Sequence, residues 1–104
     1  MREIKIGVIH CSATKEGVWI DEATIESWHK KRFKAIGGKH IGYHYLVYLD
    51  GTIVRTKSLE QIGQHVAGAN SKTVGICYIG GLDKNGKPKD TRTAEQIRSL
   101  ELIV

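Results

Sequence analysis

The segment from Ile4 to Cys11 constrains the fold most. Ile4, Ile6, Val8 and His10 alternate with Lys5, Gly7, Ile9 and Cys11, and both registers become apolar toward the end. An alternation that loses its polar face describes a strand covered on both sides, here predicted to be a central strand. Such a strand needs helices above and below it, so an isolated hairpin or a helical bundle is excluded. A second run of the same kind, Thr73 to Ile79, ends at Gly80-Gly81. Between the two, Asp21 is placed to cap a helix in which Ile25, Trp28 and Phe33 recur at near-helical spacing.

Tyr43 to Leu49 is dense in β-branched and aromatic residues, and Thr52 to Arg55 follows across Asp50-Gly51, a strong hairpin signal. By strand alternation Tyr43 and Tyr45 project to one side and His44 to the other. Ile36 to Gly42 is a glycine-rich connection, and Ser12 to Thr14 a short loop. Leu59 to Asn70 reads as loop with one helical turn near Glu60 to Gly63, and Asp83 to Asp90 as a polar turn around Pro88, the only proline. Thr93 and Gln96 match a capping box, and Ile97, Leu100, Ile103 and Val104 form one apolar stripe of a helix beginning near Ala94. That helix lacks the glycine and cations of an ordinary C-terminus, which reads as a truncated domain. Strand, helix, hairpin, strand and helix make an α/β fold: one domain over residues 1–104, a mixed β-sheet flanked by helices.

With 104 residues, 40% apolar content and 26% charged residues, the chain has the composition of a globular domain. The net charge of +5 favours an anionic partner such as cell-wall polymer. Nucleic acid is not expected, because the basic residues are scattered and only Lys30, Lys31 and Arg32 are consecutive, without interleaved aromatics. No apolar stretch suits a signal peptide or a bilayer span, so synthesis in the cytoplasm and no membrane partner are expected. Cys11 and Cys77 form no C-x-x-C pair and are read as buried thiols, with a disulfide as the alternative. An unfinished sheet would leave an open edge through which the chain could self-associate.

His10 sits at the carboxyl end of its strand, the edge at which α/β sheets collect ligands and metals. His40, His44 and His65 lie in neighbouring loops and strands, but none shows the tight helical pairing of a zinc motif. The spacing alone leaves a structural histidine open beside a metal ligand, and core packing open for the two tyrosines.

Five stretches together carry a resemblance. Val8-Ile-His-Cys-Ser-Ala-Thr14, Gly42-Tyr-His-Tyr45, Asp50-Gly-Thr52, Gly63-Gln-His-Val-Ala-Gly-Ala-Asn70 and Gly75-Ile-Cys-Tyr-Ile-Gly-Gly-Leu-Asp83 stand in the order and spacing of type 2 N-acetylmuramoyl-L-alanine amidases. The chain most resembles their phage amidase-type lysozymes, which share a fold with animal peptidoglycan recognition proteins. The resemblance implies hydrolysis of the amide joining N-acetylmuramic acid to L-alanine, acting on the cell wall. It implies one zinc ion held by two histidines and a cysteine or aspartate. His10 matches the first ligand and Tyr43 the catalytic tyrosine, while His65 and Asn70 match the loop beside the substrate groove. Peptidoglycan or muropeptides are the implied partner. The second histidine and third ligand follow the last helix in the family, together with the family's last strand and helix, and all lie beyond Val104. The chain as given is therefore expected to be inactive, with a non-catalytic module for binding peptidoglycan fragments as the alternative. Arg55-Thr-Lys57 stands where a glycine-arginine pair is common, which puts groove contacts there in doubt.

Overall fold

The computed structural model describes residues 4, 6–29, 41–63 and 70–103. Four strands form the main sheet: β1 (Ile6–Cys11), β3 (Tyr45–Val47), β4 (Ile53–Arg55) and β5 (Thr73–Tyr78). Their order is β1-β5-β3-β4, with β5 parallel to both neighbours and β3–β4 antiparallel, so the sheet is mixed. Two further strands, β2 (Thr14–Lys15) and β6 (Gly81–Leu82), make a small parallel ladder where a loop was expected at Thr14 and a strand end at Gly80-Gly81. Helix α1 (Glu22–His29) packs on one face and α2 (Ala94–Ile103) on the other.

The doubly covered central strand is β5, with five of its six residues buried. β1 was expected in that role, but among the described residues it forms the sheet's edge, and Ile9 is 46% exposed. Apolar alternation reports covered faces and says nothing about which edge is paired. Ile25, Ile41, Leu46, Cys77 and Ile79 form the core under α1, and Val47, Val74, Ile76 and Leu100 the core under α2. Ile25 packs as its spacing predicts, whereas Trp28 stays 46% exposed, and Phe33 lies outside the described residues.

Polar groups fix both helices. At the start of α1, Asp21 Oδ1 accepts from the Thr24 amide at 3.0 Å, and the Glu22 amide donates to the Tyr48 hydroxyl at 2.8 Å. Two of the amides that a helix start leaves unsatisfied are thus paired, one of them to the end of β3. At α2 the capping box is present: the Thr93 amide donates to Gln96 Oε1 at 2.9 Å, and the Gln96 amide to Thr93 Oγ1 at 3.0 Å. Gln96 is also fully buried, and its Nε2 donates to the carbonyls of Ile79 (2.9 Å) and Val47 (3.3 Å). These bonds rotate the helix so that Gln96, Ser99, Leu100 and Ile103 face the sheet. The expected stripe is corrected accordingly: Ile97 is 39% exposed, and Val104 lies outside the described residues.

The hairpin forms as read. The Gly51 amide donates to the Tyr48 carbonyl, the Tyr48 amide to the Thr52 carbonyl, and the Thr52 amide to Asp50 Oδ1, each at 2.9 Å. Ser99 Oγ donates to the Gly51 carbonyl, seating α2 on the turn. No described helix is long and apolar enough to cross a membrane.

Replacing Gln96 by Leu removes the side-chain donor from the Ile79 carbonyl, while the Val47 carbonyl keeps the Ile79 amide at 3.0 Å, and urea unfolding should show a loss of about 1–3 kcal/mol. Gly81 has φ +102°, and a Cβ there would collide with Cys11 Sγ, whereas Gly86 has φ +82° with nothing near its missing Cβ. Gly81→Ala should therefore cost about 2–3 kcal/mol, from strain plus overpacking, and Gly86→Ala about 1 kcal/mol, from strain alone. Equal losses in the two variants would contradict the packing of Cys11 on Gly81.

Candidate active site

The parallel register aligns His10 with Cys77. The ladder continues past the strands: the Ser12 amide donates to the Tyr78 carbonyl at 2.9 Å, and the Thr14 amide to the Gly80 carbonyl at 3.0 Å. Ser12 Oγ also accepts from the Gly80 amide at 2.9 Å. The backbone immediately after His10 is thereby fixed, so the imidazole rises from a rigid edge. His10 is partly buried, and that burial lowers its pKa, favouring the neutral ring.

Tyr43 comes to His10 from two strands away, with ring centroids 5.4 Å apart and the planes tilted by 46°. The sequence reading placed Tyr43 and Tyr45 on one face. In the structure Tyr43 packs with the α1-side core and Tyr45 with the α2-side core. The reason is local: β3 starts only at Tyr45, so alternation does not extend back to Tyr43. The backbone around Tyr43 is held by its neighbours. Thr56 Oγ1 donates to the Tyr43 carbonyl at 2.5 Å. His44 is fully buried, accepts from the Gly75 amide at Nδ1 (3.1 Å) and donates from Nε2 to the Gln61 carbonyl (2.6 Å). His44 is thus a structural tie between β3, β5 and the loop after β4.

A third ring was not anticipated. His29, the last residue of α1, lies with its centroid 5.4 Å from that of Tyr43, tilted by 49°. Its Nδ1 accepts from the Gly42 amide at 3.1 Å. One sequence signal was available: His29 follows the buried Ile25 by four positions and so shares its helical face.

Both cysteines are free, but only Cys77 is buried as expected, and Cys11 is half-buried. Burial pushes the Cys77 thiol up to about 12, the nearby Cys11 adds to the rise, and a hydrogen bond with the Tyr43 side chain opposes it. Cys77 is therefore a protonated thiol in the wall of the site and not a nucleophile. Lys57 is buried; desolvation lowers its pKa while Glu26 of α1 raises it, so it faces the interior and not a solvent groove. Asn70 opens a short 3-10 turn (Asn70–Lys72) leading into the amino end of β5, whereas His10 lies beside its carboxyl end. His40 and His65 lie outside the described residues.

A cleft of about 610 Å³ lies on the α2 face, lined by apolar residues including Ile4, Ile53, Leu59 and Ile103. Among the described residues its only titratable group is Tyr45, so chemistry, not volume, locates the site at the His10–Tyr43 edge. Among the described residues no three of His, Cys, Asp and Glu converge as a metal would require. His10 alone does not make a zinc site.

The endolysin of Enterobacteria phage K11 is 37% identical over 96 residues, spanning 92% of this chain and 61% of the relative. Among solved structures, the N-acetylmuramoyl-L-alanine amidase LysC from Clostridium intestinale URNW superposes with a TM-score of 0.78 at 26% identity, covering 98% of this chain and 60% of that one. Human PGRP-IBETAC, solved in complex with glycosamyl muramyl pentapeptide, has a TM-score of 0.70 at 24% identity, over 98% of this chain and 62% of that one, and shares the fold. The chain thus spans about three-fifths of the length of these proteins. The N-acetylmuramoyl-L-alanine amidase family profile matches residues 1–104, and the chain belongs to that family.

Proposed function

We propose that this chain supplies the His10–Tyr43 half of a peptidoglycan amidase, which hydrolyses the amide between N-acetylmuramic acid and L-alanine. The observation that carries the reading is the convergence of His10, Tyr43 and His29 at one rigid strand edge, in a chain whose relatives include phage endolysins. The Tyr43 phenol is a hydrogen-bond donor placed beside an imidazole whose pKa burial lowers. Its role is to donate to the carbonyl oxygen of the scissile amide as negative charge develops there. His10 would be one zinc ligand, and the described residues do not provide the others, so no step is assigned to the metal. Asn70 and His65 would contact the muropeptide away from the scissile bond. The setting would be phage or prophage lysis, acting on the cell wall.

A second reading is a module that binds peptidoglycan fragments without cutting them. It draws support from human PGRP-IBETAC, which shares this fold and was solved in complex with glycosamyl muramyl pentapeptide.

Residues Met1–Val104 expressed alone should release no L-alanine-initiated peptides from purified peptidoglycan, as read by mass spectrometry. A chimera in which they replace the matching span of the phage K11 endolysin should release them. Tyr43→Phe in that chimera should lower kcat by about 10²–10³, the cost of one oxyanion donor. A folded chimera that binds muropeptide and leaves it intact would replace the amidase reading with the binding one.

A further inference from the structure

We propose that His29 is a positioning residue, which holds Tyr43 in register with His10 by accepting the Gly42 amide and packing against the phenol ring. The functional value of this rests on the reading of Tyr43 as the hydrogen-bond donor, but the structural claim stands separately.

The geometry begins with α1. Its first turn is tied to Tyr48 and capped by Asp21, and Ile25 is fixed in the core, so the helix has little freedom to slide. His29 is therefore delivered to one place. A ring nitrogen that accepts a hydrogen bond carries no proton, so the Gly42 bond at Nδ1 puts the proton of the neutral ring on Nε2. The amide so held belongs to the residue immediately before Tyr43. The Tyr43 carbonyl is held from the other side by Thr56, and the phenol packs against the rings of both His29 and His10. Tyr43 lies two residues before β3, and the Gly42 bond and the ring contact of His29 act on it from the side of α1. Catalytic groups need such second contacts, because displacement by about 1 Å costs on the order of 10²-fold in rate.

Asparagine and leucine separate the two parts of this role. Asn places Oδ1 the same number of bonds from Cα as Nδ1 and keeps an acceptor for the Gly42 amide, whereas Leu keeps bulk and removes the acceptor. In the 104-residue chain, 15N NMR of the histidine side chains should show His29 protonated at Nε2 and not at Nδ1. Hydrogen exchange of the Gly42 amide should speed up about tenfold in His29→Leu, the equivalent of about one lost hydrogen bond, and stay within about threefold of wild type in His29→Asn. The Tyr43 ring resonances should shift in His29→Leu and return toward wild type in His29→Asn, while the Ile76 amide in β5 keeps its protection in both. A proton on His29 Nδ1 would overturn the proposal even if His29→Leu failed to fold. So would unchanged Gly42 exchange in a folded His29→Leu. None of these readouts needs hydrolysis, so an inactive chimera would remove the amidase reading and leave the positioning claim to be decided by the NMR.

Discussion

The pairing of β5 with its two parallel neighbours is the constraint from which the rest of the molecule follows. His10 reaches the site because β1 lies in register beside β5, and Tyr43 reaches it because β3 lies on the other side. Gly75 in β5 ties in the approach to β3 twice: its carbonyl accepts the His44 amide, and its own amide donates to the His44 ring. A slip of one residue in either pairing would turn His10 or Leu46 to the opposite face. The buried cores on both sides of β5 set that register, since a slip would also expose Ile76 or Cys77.

The helices are oriented by polar contacts as much as by apolar burial. Gln96 binds the carbonyls of Val47 and Ile79, which leave the ends of β3 and β5, and the Tyr48 hydroxyl receives the first amide of α1. Buried hydrogen bonds of this kind specify angle and register, which apolar contact alone leaves loose. The same economy of parts serves the site: α1 is fixed at its start by Tyr48, and its end carries His29 to Gly42.

The sequence showed much of this directly. The capping box of Thr93 and Gln96, the Asp50-Gly51 hairpin, the buried run of β5 and the place of His10 at a strand's end are all local patterns, and local patterns survive folding. What it hid was non-local. Nothing in the alternation of Ile4 to Cys11 says that β1 is the edge and β5 the centre, because strand order is set by crossover connections. Tyr43 was put on the wrong face because its apolar run extends two residues beyond the strand that forms. Gln96 and His44 look like surface residues until the carbonyls and amides that satisfy them are in place. His29 was legible only as a helical neighbour of Ile25; its contact with Tyr43 joins residues far apart in the sequence.

The account rests on the claim that the carboxyl edge of β1, with His10, Tyr43 and His29, is where a muramyl peptide docks. The most direct test is an NMR titration of the 104-residue chain with N-acetylmuramoyl-L-alanyl peptide. The account predicts that shift changes concentrate at His10, Tyr43, His29 and the backbone from Cys11 to Thr14, with β4 and α2 unchanged. Changes centred on the apolar cleft beneath α2, with the His10–Tyr43 edge unaffected, would contradict it.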